Sequence, residues 1–184
     1  MLERILALLM LIILIPVLIV IIILIIVDDG LPLIFAQKRV GVNNTFFKMY
    51  KFRTMKKSTP NVATDLLKNP NQYLLSTGVL LRKLSLDELP NLWNILKGDM
   101  VFVGPRPALY NQDNLIHLRN TAGVDSLKPG LTGWAQINGR DKISLEEKVS
   151  LDKIYLEKKS FMFDIKILIM TFSTAFIKQE GVSH

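Results

Sequence analysis

Asp87 and Glu88 are adjacent carboxylates beside an expected helix start, and they are the residues best suited to chemistry. An ionised Asp is a usable nucleophile toward phosphorus, and a nearby carboxylate can hold a divalent ion that neutralises a diphosphate. The same pair also suits a plain structural purpose. Acidic side chains in a first turn interact favourably with the helix dipole, and Glu88 has capping-box spacing from Ser85. A helix N-terminus there would keep Asp87 ionised and offer backbone donors to a phosphate. Arg106 stands between Pro105 and Pro107. These prolines reduce the backbone freedom lost on placing its guanidinium, which suits bidentate phosphate binding as well as an ordinary tight turn. Arg82 lies shortly before Asp87, near the same helix entry. Lys51 and Arg53 alternate with Tyr50 and Phe52, so on a strand both basic groups share one face. The run from Gly130 to Arg140 mixes glycines with Trp134 and Gln136, a composition that suits a cradle for a base or sugar and equally a turn-rich core segment.

The elements that must position these residues are partly legible. The helix following Ser85 carries an apolar series (Leu89, Leu92, Trp93, Ile95, Leu96) and stops at Lys97-Gly98, with Pro90 close enough to the start to be tolerated. Leu33 to Gln37 and Phe46 to Phe52 read as short strands around a hairpin turn at Gly41 to Asn44, and Met100 to Val103 as a third strand. Lys56 to Thr77 is polar and reads as a long surface connection able to order on binding. Asn111 to Asn120 is expected to be helical, and Ser144 to Lys158 a charged surface helix. Pro129-Gly130 and Thr132-Gly133 mark turns. Phe161 to Ile177 sets Phe161, Ile165, Leu168, Ile169, Phe172 and Phe176 on one helical face, which serves core packing or a membrane interface. The soluble part is expected to be mixed α and β.

Before all of this stands the unbroken apolar run Ile5 to Val27, preceded by Glu3 and Arg4. At roughly 1.5 Å per residue it reaches about 34 Å, enough to cross a hydrocarbon core of roughly 30 Å. Pro16 sits at its centre, where it removes a backbone donor and clashes with the preceding turn. A kinked spanning helix and a re-entrant pair of half-helices are both drawable. A cleaved signal peptide fits poorly, because the run is long and no small-residue cleavage site follows it. Asp28-Asp29-Gly30 and Pro32 then end the membrane segment. This divides the chain into an anchor, residues 1–27, and a single globular unit, residues 28–184, since 184 residues are few for two independent folds.

The net charge of +7 comes from 23 Lys and Arg against 16 Asp and Glu, of which only Arg4 and Glu3 precede the apolar run. Basic clusters just after a membrane segment keep a domain cytoplasmic beside anionic headgroups, and they also suit phosphate ligands. Nucleic acid is not expected, because Phe46, Phe47, Tyr50 and Phe52 among those charges are explained by a strand's buried face. Cysteine is absent and His117 and His184 are the only histidines, which argues against disulfides, thiolate sites, histidine zinc sites and a histidine triad.

Ser85-Leu86-Asp87-Glu88-Leu89-Pro90, Leu92-Trp93-Asn94, Lys97-Gly98-Asp99-Met100, Val103-Gly104-Pro105-Arg106-Pro107 and Pro129 through Arg140 together resemble the bacterial sugar transferase family. The match runs in order and includes Gln37 to Gly41 and Tyr50 to Met55, and the chain is most similar to the small monotopic polyprenyl-phosphate phosphoglycosyl transferases. The resemblance implies an α+β fold: a re-entrant membrane helix broken at Pro16, then a small mixed α/β catalytic domain with amphipathic interfacial helices. It implies a UDP-sugar donor, an undecaprenyl phosphate acceptor, a membrane phospholipid surface, and residence at the bacterial inner membrane with the domain on the cytoplasmic face. The sugar it suggests is an N-acetylated hexose, a plain hexose staying open. Asp87 would attack the sugar-bearing phosphate and release UMP. Magnesium is expected at Asp87 with Glu88 nearby, unless Glu88 acts on the acceptor. Arg82, Arg106 and one of Lys51 or Arg53 would bind phosphates, and Gln136 substrate. Two departures concern the anchor alone: Ile15 precedes Pro16 where the family usually has Ser, and Glu3 to Leu6 replaces a basic and Phe-Asp start. A membrane-tethered basic module that binds lipid or a partner without catalysis, and a transferase that moves a sugar without its phosphate, are the rivals.

Overall fold

In the computed structural model, which describes residues 1–60, 69–139 and 143–177, the apolar run forms two helices, α1 (Leu2–Ile13) and α2 (Ile15–Asp29). They meet at Leu14 with a bend of 62°. Pro16 falls in the first turn of α2, where a missing N–H costs nothing inside α2 but denies α1 a continuing bond. Among the described residues no single helix is long and apolar enough to cross a membrane, whereas this bent pair passes by length and composition. Ala7 of α1 and Ile21 and Ile25 of α2 are buried against the rest of the protein, while Ile13, Val20 and Val27 are exposed.

Asp28 and Asp29 do more than end α2. Asp28 Oδ2 accepts from the N–H and hydroxyl of Thr77 at the start of α3 (Ser76–Lys83), both at 2.8 Å. Asp29 pairs with the guanidinium of Arg53. Helix α3 begins at the very end of the segment 56–77 expected to be a polar connection; residues 61–68 of that segment are outside the described set, as is Arg140.

Strands β1 (Ile34–Val40) and β2 (Phe46–Phe52) pair antiparallel, Ile34 opposite Phe52 and Val40 opposite Phe46. The tight connection Val42–Asn44 is built on positive φ at Asn43 and Asn44, a conformation that Asn tolerates. Helix α4 (Asn91–Lys97) follows, ends on Gly98 at φ 90°, and packs against α1. Strand β3 (Val101–Val103) is parallel to β4 (Gly130–Thr132). That strand lies where a turn is expected. The backbones approach so closely that a Cβ on Gly130 would sit 2.1 Å from Gly104 N, so the glycine there serves contact rather than turning. Helices α5 (Asp113–Thr121), α6 (Trp134–Asn138), α7 (Leu145–Lys158) and α8 (Phe161–Ile177) complete the order.

The main core joins Ala7, Met49, Leu92, Ile95, Met100, Phe102, Val124, Tyr155 and Ile167. Tyr155 donates across it to Val103 O at 3.0 Å and Asp164 Oδ1 at 2.7 Å. On α8, Ile167 is the fully buried residue. The predicted apolar face instead points largely outward, with Phe161, Ile169 and Phe172 each at least 65% exposed. Of Phe176 only the backbone belongs to the described set.

Candidate active site

The capping box expected at Ser85 does not form. Ser85 takes a left-handed conformation at φ 55° with no side-chain cap, Leu86–Glu88 is a single 3-10 turn, and α4 begins three residues later at Asn91. The cause is Pro90. It has no N–H to give Leu86 O, so Leu89 N bonds that carbonyl instead, and the chain tightens to i→i+3 bonding. The dyad therefore sits on a short turn and is charged by its neighbours rather than by a helix terminus.

Those neighbours arrive from two directions. From β2, Lys51 Nζ lies 2.6 Å from Glu88 Oε1. From the Pro105-Pro107 loop, Arg106 Nη2 lies 3.4 Å from the same oxygen. The register of β2 against this turn is set by Asn94, which is fully buried. Its Nδ2 donates to Lys48 O at 2.7 Å and its Oδ1 accepts from Tyr50 N at 3.2 Å. Arg82, on the last turn of α3, donates to Thr54 Oγ1 at 2.9 Å.

Electrostatically the two carboxylates part company. Burial pushes the Asp87 carboxyl above its ordinary range, opposed by Lys51 and Arg82 while Glu88 adds to the rise. Burial would raise Glu88 too, but Arg106 and Lys51 outweigh it and hold Glu88 at about 2. Burial pushes the Lys51 ammonium down, with Glu88 resisting. Glu88 is thus ionised at neutral pH and committed to two cations. Among the described residues Asp87 enters no ion pair.

Lys51, Arg82, Asp87, Glu88, Arg106 and Gln136 all line one open cavity of about 680 Å³. Arg53 does not join them. Its guanidinium is turned to Asp29 and to the carbonyls of Pro32 and Met55, so it braces the junction between α2 and the domain. Lys51, the last basic residue of β2, is the one of the pair that reaches the cavity. Gln136 donates to Leu131 O at 3.2 Å, which fixes its amide and leaves Oε1 a buried acceptor without a partner among the described residues.

No group of three or more His, Cys, Asp or Glu residues fit to enclose a metal occurs among the described residues. Magnesium does not need one, since it binds through one or two carboxylates, water and substrate phosphates. The unpaired, buried carboxyl of Asp87 fits that demand; Glu88, already held by Lys51 and Arg106, fits it less well.

Two residues escape sequence reasoning, Arg119 at the cavity's edge and Asp152 behind it. Arg119 and Asp152 form a buried ion pair at 2.6 Å between α5 and α7. The available signal is a charge on an apolar stripe: Arg119 follows Leu115 and Leu118, and Asp152 falls between Val149 and Tyr155.

From α1 and α8 the cavity lining is mainly apolar, with Leu2, Leu6 and Met10 of the first and Phe161, Ile165, Leu168 and Phe172 of the second, and with Glu3 and Asp164 among them.

The family model described as bacterial sugar transferase matches residues 1–178. An uncharacterised sugar transferase, EpsL of Bacillus subtilis, is 44% identical over 158 residues, 84% of this chain and 75% of the relative. The UDP-glucose:undecaprenyl-phosphate glucose-1-phosphate transferase of Escherichia coli is 37% identical over 156 residues, 80% of this chain. The undecaprenyl-phosphate galactose phosphotransferase of Salmonella typhimurium is 35% identical over 161 residues, 78% of this chain. The chain spans 33% of the length of each of the last two.

Proposed function

The chain belongs to the bacterial sugar transferase family, and from that premise we propose that it moves a sugar 1-phosphate from a UDP-sugar to undecaprenyl phosphate. The observation that carries this reading is the divided lining of the cavity: a carboxylate dyad with Lys51, Arg82 and Arg106 from the domain, and mainly apolar side chains from α1 and α8. A diphosphate and a phosphate with a hydrocarbon tail both find matching chemistry there. The named functions of the Escherichia coli and Salmonella relatives support the same reaction class.

In the first step a carboxylate oxygen of Asp87 attacks the sugar-bearing phosphorus. The bond from that phosphorus to the bridging oxygen breaks, and UMP leaves with the bond's electrons. Burial makes Asp87 more basic than a surface carboxylate, hence a better nucleophile, while Lys51 and Arg82 favour its ionised form. Arg106 and Lys51 face the growing negative charge. In the second step a phosphate oxygen of the acceptor attacks the same phosphorus, the Asp87–phosphorus bond breaks, and the carboxylate returns. Glu88, ionised throughout, keeps Lys51 and Arg106 in place and is no proton donor in this arrangement. Magnesium at Asp87, when bound, supplies neutralisation of the diphosphate charge.

The bent pair α1–α2 enters and leaves the cytoplasmic membrane on one side, with the basic domain at its cytoplasmic face and the outward side chains of α8 in contact with phospholipid. The donor sugar is a hexose, and the resemblance of the motifs favours an N-acetylated one. The relatives above carry glucose and galactose in their names, so each N-acetylated donor is paired with its plain counterpart in the test. Purified protein in detergent with magnesium and undecaprenyl phosphate is expected to release UMP with one donor. Release of UDP would indicate transfer of the sugar without its phosphate, and silence with every donor would favour a lipid-binding module.

A further inference from the structure

Four consecutive carbonyls, from Pro105 to Ala108, each accept a hydrogen bond from outside the loop. Gly130 N donates to Pro105 O at 2.9 Å and Val40 N to Ala108 O at 3.0 Å. The two carbonyls between them are held by guanidiniums: Arg119 Nη1 to Arg106 O at 2.8 Å, and Arg39 Nη1 to Pro107 O at 2.9 Å. A loop already stiffened by two prolines is thereby pinned at all four of these carbonyls, while the Arg106 side chain, held by its 3.4 Å contact with Glu88, is the part that faces the cavity.

We propose that Arg119 and Asp152 are positioning residues whose task is to hold the backbone of Arg106, and so to aim its guanidinium at the donor diphosphate. This rests on the reading of Arg106 as a phosphate ligand given above. Arg119 borders the cavity, yet each of its three nitrogens already donates within the protein. Nε and Nη2 both go to Asp152 Oδ2, at 3.0 and 2.6 Å, and Nη1 to Arg106 O. It therefore acts through Arg106 rather than on substrate. Asp152 is 1% exposed and Arg119 8%. An ion pair this buried contributes little beyond what apolar side chains of similar volume would. What apolar side chains cannot replace is the donation from Nη1 to Arg106 O. The planar fork of arginine is also what allows one group to bridge a carboxylate and a carbonyl at fixed geometry.

The test is a cycle of full-length variants: wild type, Arg119→Met/Asp152→Leu, Arg106→Ala and the triple combination. Thermal melts, amide exchange of the segment 102–110, and UMP-release kinetics with donor and acceptor varied separately are measured on each. The expected result is a near wild-type melting temperature for the double variant, faster exchange in 102–110, and a KM for the UDP-sugar raised about tenfold with the acceptor KM unchanged, a loss of roughly 1.4 kcal/mol. In the Arg106→Ala background the double substitution should then cost nothing further. Unchanged exchange, or losses that multiply in the triple variant, would overturn the proposal. Should the double variant not fold, Arg119→Lys keeps the charge on Asp152 without the fork and should give the same selective rise in donor KM. If wild type itself releases no UMP, the proposed reaction fails, while the exchange measurement still decides whether Arg119 and Asp152 hold the loop.

Discussion

Lys51 Nζ and Glu88 Oε1 meet at 2.6 Å across the gap between β2 and the 3-10 turn, and that contact separates the tasks of two adjacent carboxylates. Glu88 takes the cations and stays ionised. Asp87, one residue earlier, is left buried, without an ion pair among the described residues and with a raised pKa.

Lys51→Met removes the first of the influences that lower the Asp87 pKa. Because the carboxyl must be ionised to attack, activity rises with pH through its pKa. The acid limb of UMP release should therefore move to higher pH. Rate measurements between pH 4 and 8 on both proteins check this; an unmoved acid limb would separate Lys51 from Asp87.

Glu88 is held at about 2, below its ordinary 4.5. A depressed carboxyl contributes stability that is complete above its unfolded value and is lost as pH falls through the folded one. Wild type should lose up to roughly 3 kcal/mol more than Glu88→Gln between pH 5 and pH 2. Urea midpoints across that window read it, and parallel curves would contradict the two ion pairs.

Asn94→Ala strips the partners from Lys48 O and Tyr50 N at a buried site. A loss of roughly 2–3 kcal/mol is expected in denaturant unfolding. A loss below 0.5 kcal/mol would mean that β2 is placed by its apolar contacts instead.

Pro16→Leu restores the backbone donor at the bend between α1 and α2. The chain has no cysteine, so single cysteines placed at Leu2 and at Tyr110 report topology without background. Both should react with a membrane-impermeant reagent added from the cytoplasmic side. In Pro16→Leu the first should become protected as the run straightens and spans. Protection at position 2 in the parent chain would show that the bend does not return it to the cytoplasmic face.

Local patterns account for the elements that sequence reasoning locates closely: β2 by its aromatic alternation, α7 by Ser144, whose hydroxyl accepts from Glu147 N, and α8 by its apolar length. What local patterns miss depends on distant partners. Helix α3 opens on Ser76-Thr77-Gly78, which is no helix signal, and its start is held by Asp28 from α2. Ser85 and Glu88 have the right spacing for a capping box, but Pro90 converts the segment to a 3-10 turn. Of the basic residues proposed for phosphate, Lys51, Arg82 and Arg106 come to the cavity, whereas Arg53 is taken by Asp29, and nothing in the strand pattern distinguishes Lys51 from Arg53. Arg119 and Asp152 are visible as charges out of place on apolar stripes. Their joint purpose appears only when α5 and α7 meet.

The central claim is that Asp87 carries the phosphosugar between two half-reactions. Wild type mixed with its UDP-sugar and magnesium, without any lipid acceptor, should release one UMP per protein. Intact mass should then rise by one sugar phosphate, located on the peptide bearing Asp87, and Asp87→Asn should do neither. UMP appearing only when undecaprenyl phosphate is added, with no mass change on the protein, would contradict the account.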